Sequence, residues 1–183
     1  DEVMEDSASV LRFWFEESTP QQWFEKSDEY DRIIEDRFGD LHREAANGDH
    51  DGWTDSADGS LALILVLDQF SRNLFRDDPR AFAQDAKALS IAKKAIAEGQ
   101  DREVPEDRRV FFYVPFEHSE DLADQEDSLP YFEALANPEY LRYAIAHRDI
   151  IARFGRFPHR NAVLGRESTA DEIAFLKTPG SSF

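Results

Sequence analysis

The chain has 183 residues, of which 41% are hydrophobic and 13% aromatic, and this composition suits one folded domain with a sizeable core. Its formal net charge of -18 argues against a general nucleic-acid or anionic-membrane surface, because phosphate contacts need clustered cations. The sequence has no cysteine, which excludes disulfides, thiolate zinc sites and a cysteine nucleophile.

Apolar runs in the sequence are too short for a membrane span, which needs roughly 20 residues. The first residues are acidic and lack the hydrophobic region of a secretion signal. We therefore expect a soluble, cytoplasmic protein that binds neither nucleic acid nor membranes. The sequence leaves the oligomeric state open.

Hydrophobic residues recur at helical spacing through the first third of the chain. The segment VLRFWFEE predicts a short helix capped by Ser7 or Ser9, and a second helix is expected over residues 27–46. Residues 49–59 are polar and are predicted to form a loop. Residues 60–71 contain an unbroken apolar run, whose length favours a central buried helix over a strand.

Proline and glycine delimit the helices predicted in the middle of the chain. A long helix should open at Asp77–Pro79 and end at Gly99, since proline is favoured at the first helical position. A further helix is expected over residues 105–115, where the second proline ends it. An acidic helix over residues 119–135, capped by its first serine, should be interrupted near Pro130.

The most informative stretch is Tyr140–Arg166, which carries six arginines and two histidines against a single acid in an otherwise acidic chain. Its helix should open at Asn137 and end at Gly155 in a left-handed conformation, because a proline-containing loop follows. A capping box beginning at Ser168 or Thr169 then starts a final short helix.

These elements together predict an all-α protein. About eight antiparallel helices should form one domain over residues 7–176, since no convincing strand is present and the connections are short. Residues 1–6 and 177–183 should be loose. The sequence shows no strict repeat of the kind that tetratricopeptide arrays have.

Asp68 and Arg72 lie four residues apart at the end of the buried helix, where they can form an ion pair. One interpretation is structural, since buried charges need partners wherever they occur. In the other, Asp68 orients Arg72, and both Arg72 and Asn73 face a ligand. In either case we expect the pair to be in contact and mostly buried.

Three histidines occupy positions where polar side chains can converge. His147 lies on the apolar face of its predicted helix, where it is either a hydrogen-bonded core residue or a general base. His159 follows in the loop, and His118 lies at a break between helices. Neither the histidines nor the acids show a metal-ligand spacing such as HExxH, so we expect no metal and no cofactor. The acidic run over residues 117–127 is interpreted as a solvated helix face.

The loop Arg156–Asn161 combines rigidity, from its Phe-Pro step, with fork-like and amide donors. Such donors suit a carboxylate or a phosphate. The alternative is that they bind the C-terminal carbonyl groups of neighbouring helices, which cations also favour. The donors are Arg156, His159, Arg160 and Asn161.

Serine-nucleophile, P-loop and Rossmann motifs are missing from the sequence, so those enzyme classes have no support. Four segments, LRFWF, LVLDQFSRNLFR, PFEHSEDLADQE and FGRFPHRNAVLGRESTADE, together resemble the bacterial domain-of-unknown-function family 924. The resemblance extends from about Val10 to Leu176. It implies an all-helical fold similar to tetratricopeptide-like proteins, and it implies no activity. Family motif positions fall on Asp68, Gln69, Arg72, Asn73, His118, His147, His159, Arg160 and Asn161.

Three classes of function remain open. The leading hypothesis is a binding module whose polar side chains converge on a small anionic ligand or an acidic peptide terminus, with His159 and Arg160 bordering one pocket with Arg72 or His147. The second is an enzyme, a cofactor-independent or metal-assisted hydrolase with His147 or His159 as general base. The third is a scaffold that binds another protein, in which the polar cluster only fastens helices.

Overall fold

The structure is a computed structural model that describes residues 5–183. Between these residues it contains helices and no strand, which confirms the predicted all-α class. Eleven α-helices lie in this part of the chain, and eight of them have six residues or more, in agreement with the expected number. The chain forms two compact units, and the single domain over residues 7–176 stays a prediction.

Unit 1 comprises the chain up to Arg76 together with Arg80–Pro115. Its core surrounds the buried run Leu61–Leu67, and the large side chains of Trp14 and Phe70 are fully buried beside each other. Its α-helices are α1 (Ser7–Arg12), α2 (Pro20–Phe24), α3 (Asp28–Ala46), α4 (Ala57–Ile64), α5 (Ser71–Leu74), α6 (Asp85–Ala97) and α7 (Glu106–Glu117), the last of which ends in unit 2.

Asp6 caps α1, whereas Ser7 or Ser9 was expected to do so. The Asp6 carboxylate accepts a hydrogen bond from the Ser9 amide at 2.9 Å, and Ser9 Oγ accepts one from the Asp6 amide at 2.7 Å. This reciprocal capping box makes Ser9 a helical residue. Helix α3 has its predicted bounds, with Ser27 as the capping residue.

The buried helix predicted over residues 60–71 is present and is longer than expected. Helix α4 continues without a break through a π-helical segment, Leu65–Phe70, into α5. The start of α4 lies inside the stretch predicted as a loop, where Ser56 Oγ accepts a hydrogen bond from the Gly59 amide at 3.0 Å. Wide π-turns often occur at functional positions, and this one carries Asp68.

Three helix boundaries predicted at prolines are wrong. Pro79 starts an isolated 3-10 turn, and α6 begins only at Asp85. Helix α7 continues past Pro115 to Glu117, and the next helix continues past Pro130. A proline removes one helical N–H group, and packing of buried residues on either side can hold the helix together despite that loss.

Unit 2 comprises Asp77–Pro79 and Phe116–Phe183. Its two longest helices, α8 and α9, pack against each other. Asp121 caps α8, whereas Ser119 was expected to, because the Asp121 carboxylate accepts a hydrogen bond from the Ala123 amide at 2.9 Å. The α-helices that lie wholly in unit 2 are α8 (Leu122–Glu133), α9 (Pro138–Phe154), α10 (Asn161–Leu164) and α11 (Ala170–Leu176).

The predicted ends of α9 and the predicted start of α11 are confirmed. Asn137 caps α9, and Gly155 ends it in a left-handed conformation with φ of 71°. Thr169 and Glu172 form the capping box that starts α11. Each of these signals acts within a few residues of the chain, which is why they can be recognised in the sequence.

The tail beyond α11, residues 177–183, was expected to be loose but makes defined contacts. Ser181 Oγ donates a hydrogen bond to the Leu176 carbonyl at 3.2 Å. The Phe183 ring stacks on the His147 ring, with 3.6 Å between the ring centroids. The tail is therefore docked on unit 2.

Residues 1–4 lie outside the described part of the chain, so the expected loose start can be followed only in the two residues after them. Glu5 pairs with Arg37 at 3.1 Å, and Asp6 caps α1, so both have defined contacts. None of the helices in residues 5–183 combines the length and the apolarity that crossing a membrane requires.

Candidate functional site

The predicted contact between Asp68 and Arg72 is present in unit 1. Asp68 is 1% exposed, and Arg72 Nη1 lies 3.4 Å from its Oδ1 and 3.0 Å from its carbonyl oxygen. Arg72 also forms a shorter, two-pronged pair with Asp85, at 2.8 and 3.0 Å. Burial alone would lower the pKa of Arg72, but the two carboxylates outweigh it and raise that pKa. Both terminal nitrogens are engaged within unit 1, which favours the structural interpretation.

Asn73, which was predicted to face a ligand, has its side-chain amide bound to Asp31. The Asn73 Nδ2 atom lies 2.9 Å from Asp31 Oδ1, and Arg76 Nε binds the same carboxylate at 2.6 Å. Sequence reasoning missed both Asp31 and Asp85 as partners, because an acid in the first turn of a helix is usually explained by the helix dipole. Their partners lie 42 and 13 residues away along the chain.

A buried serine–histidine pair, whose serine is next to Arg72 in the chain, was not predicted. His42 Nε2 lies 2.7 Å from Ser71 Oγ, and both residues are buried. Ser71 Oγ donates its single proton to the Leu67 carbonyl at 2.6 Å, so His42 must be the donor to Ser71. In this arrangement His42 cannot take a proton from Ser71, and the pair is therefore not an activated nucleophile.

In unit 2, Arg156 binds the nearly buried Glu172 through two hydrogen bonds, at 2.9 and 2.6 Å. The Arg156 guanidinium, followed by the Thr169 amide, lowers the pKa of Glu172 to about 2. Asn161 Nδ2 reaches the same carboxylate at 3.3 Å. Two of the predicted anion-binding donors therefore already hold an anion from their own chain.

Glu120 is a second acid that binds donors of the basic stretch, here in the loop before α10 and at Arg166. It accepts hydrogen bonds from the Phe157 amide at 2.6 Å and from Arg166 Nη1 at 2.8 Å. Burial alone would raise the pKa of Glu120, but these hydrogen bonds outweigh it and lower that pKa. The interpretation of residues 117–127 as a solvated face is wrong at this point, and also at Gln125, which is buried.

Arg160 is buried and acts as a cap for a helix end. Its Nη2 donates to the His118 carbonyl at 3.0 Å, just beyond the C-terminus of α7. Its guanidinium carbon lies 4.6 Å from the centre of the Phe157 ring. The hydrogen bond to the His118 carbonyl is the carbonyl-binding role that was the alternative to ligand binding. A cation is favoured at the C-terminal end of a helix because of the helix dipole.

His147 is the buried member of a group of basic side chains. It is 7% exposed, and its Nδ1 donates to the Tyr143 carbonyl at 2.7 Å, which leaves the lone pair on Nε2. Burial, followed by the neighbouring His118, His159 and Arg160, lowers the pKa of His147 to about 3, although the Tyr143 carbonyl acts in the opposite direction. We call His118, His147, His159 and Arg160 the histidine cluster.

The buried Phe157 ring forms one wall of the histidine cluster. Its centroid lies 5.7 Å from the His147 ring and 5.6 Å from the His159 ring. The Phe183 ring stacks on the His147 ring. His147 is neutral at neutral pH and binds a proton weakly, which makes it a poor general base. His159 is half-buried, and it is the better of the two predicted candidates.

Comparison with known proteins identifies the family. Residues 10–180 match the family described as bacterial protein of unknown function, DUF924. The chain belongs to this family. It is also similar to the solved structure of a protein of unknown function from Agrobacterium tumefaciens, with 46% identity, a TM-score of 0.89, and coverage of 93% of this chain and 96% of that chain. Among curated proteins, none matches this chain.

The predicted site residues of this DUF924 protein fall into separate groups. Unit 1 holds Asp68, Arg72 and Asn73, each bound to carboxylates or donors of its own unit. Unit 2 brings together the four residues of the histidine cluster, and beside them Arg156 and Asn161 share Glu172. The site as a ligand-binding site stays a prediction.

An open depression of about 420 Å³ lies beside Arg156 in the DUF924 protein. Arg156 and Glu172 in its wall neutralise each other, and Arg153 faces it together with Asp171, so its charges balance. A balanced lining gives no preference for an anion, and the depression is therefore a weaker candidate than the histidine cluster. Its lining residues are Arg153, Phe154, Arg156, Thr169, Asp171 and Glu172.

Proposed function

We propose that this DUF924 protein is a binding module that holds a small anionic ligand at the histidine cluster. The supporting observation is that basic groups lie together, because the His147 and His159 rings lie 5.7 and 5.6 Å from the same Phe157 ring and the Arg160 guanidinium carbon lies 4.6 Å from it. Basic groups that lie close together share a positive potential once any of them is protonated, and a bound anion relieves it. In a chain of net charge -18, such a local concentration of basic groups stands out.

Among the described contacts of His147, the nearest acid is Glu117, and the two residues are only loosely paired. Glu117 Oε1 lies 3.9 Å from His147 Nδ1, which is too long for a hydrogen bond. The His147 Nδ1–H group donates its hydrogen bond to the Tyr143 carbonyl instead. Arg156, by contrast, holds its carboxylate partner at 2.6 Å.

The ion pairs around the cluster give it a fixed shape. Arg156 with Glu172 and Arg166 with Glu120 hold both ends of the loop Arg156–Asn161. A binding group that is already ordered loses less conformational entropy when a ligand arrives. In this proposal Arg156 and Arg166 form the frame, and His118, His159 and Arg160 meet the ligand.

The ligand class is a phosphate, a dicarboxylate or the acidic terminus of a peptide. Binding should be weak, because Arg160 is partly engaged with the His118 carbonyl. Adding salt should weaken it further, since His118 and His159 are only half-buried and charges that reach solvent are screened. The proposal requires no metal and no cofactor.

The test is a titration of the protein with inorganic phosphate, followed by NMR of the five histidine side chains. We expect the His118 and His159 signals to move in a saturable way, because a bound anion changes the electrostatic environment of both imidazoles. His50, which pairs with Glu44 at 2.8 Å in unit 1, is the internal control. If His50 and His42 respond while the cluster does not, or if nothing saturates, anion binding is refuted.

A structural scaffold is the second candidate, and one observation favours it. The side chain of Asn161 is 1% exposed and is bonded to Ser168, Glu172 and Arg166, as expected for a residue that fastens helices. Under this alternative, Asn161→Ala should destabilise the protein while phosphate has no effect on any histidine. A saturable response of His159 to phosphate would exclude a purely structural role for the cluster.

A further inference from the structure

The aromatic ring of Phe183 packs against two imidazoles of the histidine cluster. Its centroid lies 3.6 Å from that of His147, with the two rings only 18° from parallel. The same ring meets His159 edge-on at 6.1 Å. Phe183 itself is 51% exposed, whereas His147 beneath it is buried.

The contact is local rather than part of the core. The tail that carries Phe183 is held by Ser181 Oγ on the Leu176 carbonyl and by Thr178 on the Phe175 carbonyl. The buried cluster formed by Ile150, Ile151 and Phe157 does not include Phe183. Exchanging the Phe183 ring for another ring would therefore disturb little else in unit 2.

We propose that the histidine cluster takes anions that carry an aromatic ring, and that Phe183 is a built-in occupant that such a ligand displaces. The ring of the ligand stacks on His147, and its anionic substituent meets His159 and Arg160. This inference rests on the proposed anion-binding function and specifies the ligand class of the same site.

The chemistry of His147 supports a ring at this position. Its Nδ1–H bond to the Tyr143 carbonyl sets the orientation of the imidazole, and the Phe157 ring packs against it at 81°. An oriented, buried and uncharged imidazole offers a flat face for stacking. The His159 ring lies 6.1 Å from the Phe183 ring at an angle of 75°, so a charged group attached to a ring in that place lies near a second imidazole.

The test compares phenyl phosphate with inorganic phosphate in the wild-type protein, in Phe183→Ala and in Phe24→Ala. Phe24 is the matched control, because it is also an exposed phenylalanine but belongs to unit 1, where it contacts Trp23. Affinities come from histidine NMR titrations, with circular dichroism confirming that each variant is folded. Cyclohexyl phosphate replaces phenyl phosphate in a parallel titration to separate ring stacking from simple apolar contact.

We expect Phe183→Ala to raise the preference for phenyl phosphate over inorganic phosphate by about threefold to tenfold, the size of an aromatic pair contribution. Phe24→Ala should leave that ratio unchanged, and cyclohexyl phosphate should gain less than phenyl phosphate. The Phe183→Ala substitution should also shift the His147 ring signals, because the stacked ring is lost.

Two negative results separate this inference from the proposed function. If inorganic phosphate perturbs His159 but Phe183→Ala does not change the ratio of affinities, the ring site is refuted and anion binding stands. If neither phosphate ester nor inorganic phosphate perturbs any residue of the cluster in any variant, the proposed function fails, and the ring site fails with it.

Discussion

The substitution Gly155→Ala tests the conformation that ends α9. Gly155 has φ of 71° and ψ of 2°, and a β-carbon placed there would point into open space. The cost is therefore backbone strain alone, about 1 to 2 kcal/mol for an L-residue in the left-handed region. Alanine also restricts the unfolded chain, which offsets about 0.4 to 1 kcal/mol of that cost. We expect a net loss of about 1 kcal/mol in the free energy of unfolding.

Gly39 supplies the matched control, because it lies inside α3 and also has open space around its β-position. In a helix interior, alanine is favoured over glycine by about 1 kcal/mol, so Gly39→Ala should stabilise the protein by about that amount. The same substitution thus changes sign between two open positions. Urea unfolding followed by circular dichroism measures both. A neutral or stabilising Gly155→Ala would contradict the strain argument, and Gly155→Asn should lose less than Gly155→Ala because asparagine tolerates this conformation.

Three further predictions concern the buried polar groups. Replacing Arg72 with methionine should lower the free energy of unfolding by about 3 to 5 kcal/mol, since it leaves Asp68 and Asp85 without their shared cation. Asp68→Asn should cost less, because Arg72 keeps its pair with Asp85. Equal losses of the two variants in urea unfolding would contradict this. His147 has a pKa of about 3 in the folded protein against an ordinary value of 6.5, so the unfolded state binds its proton first and stability should fall as pH drops from 6.5 towards 3. His147→Asn should flatten that part of the stability profile, and an unchanged slope would refute the assignment. Asn161→Ala should cost about 3 kcal/mol, because it strands hydrogen-bonding groups in a buried site, and a loss below about 1 kcal/mol would show that they find other partners.

Local signals in the sequence determined the all-α class and several helix ends. Gly155 and the Thr169 capping box are recognisable because each acts on backbone groups within about one helical turn. The apolar run Leu61–Leu67 likewise predicted the buried central helix, since a side chain with no polar neighbour on any face has to be enclosed. His147 lies inside α9 and His159 lies in the 3-10 turn that follows it, so the two histidines are also close along the chain.

Tertiary structure alone decided which charges meet. Asp85, Glu120 and Glu172 each look like ordinary helix acids in the sequence, yet they bind Arg72, Arg166 and Arg156. It also decided that helices continue through Pro115 and Pro130, and that Phe183 docks on His147. Helix caps depend on neighbours a few residues away, whereas the partner of a buried charge or ring is set by how separate helices pack, and nothing in the local sequence encodes that.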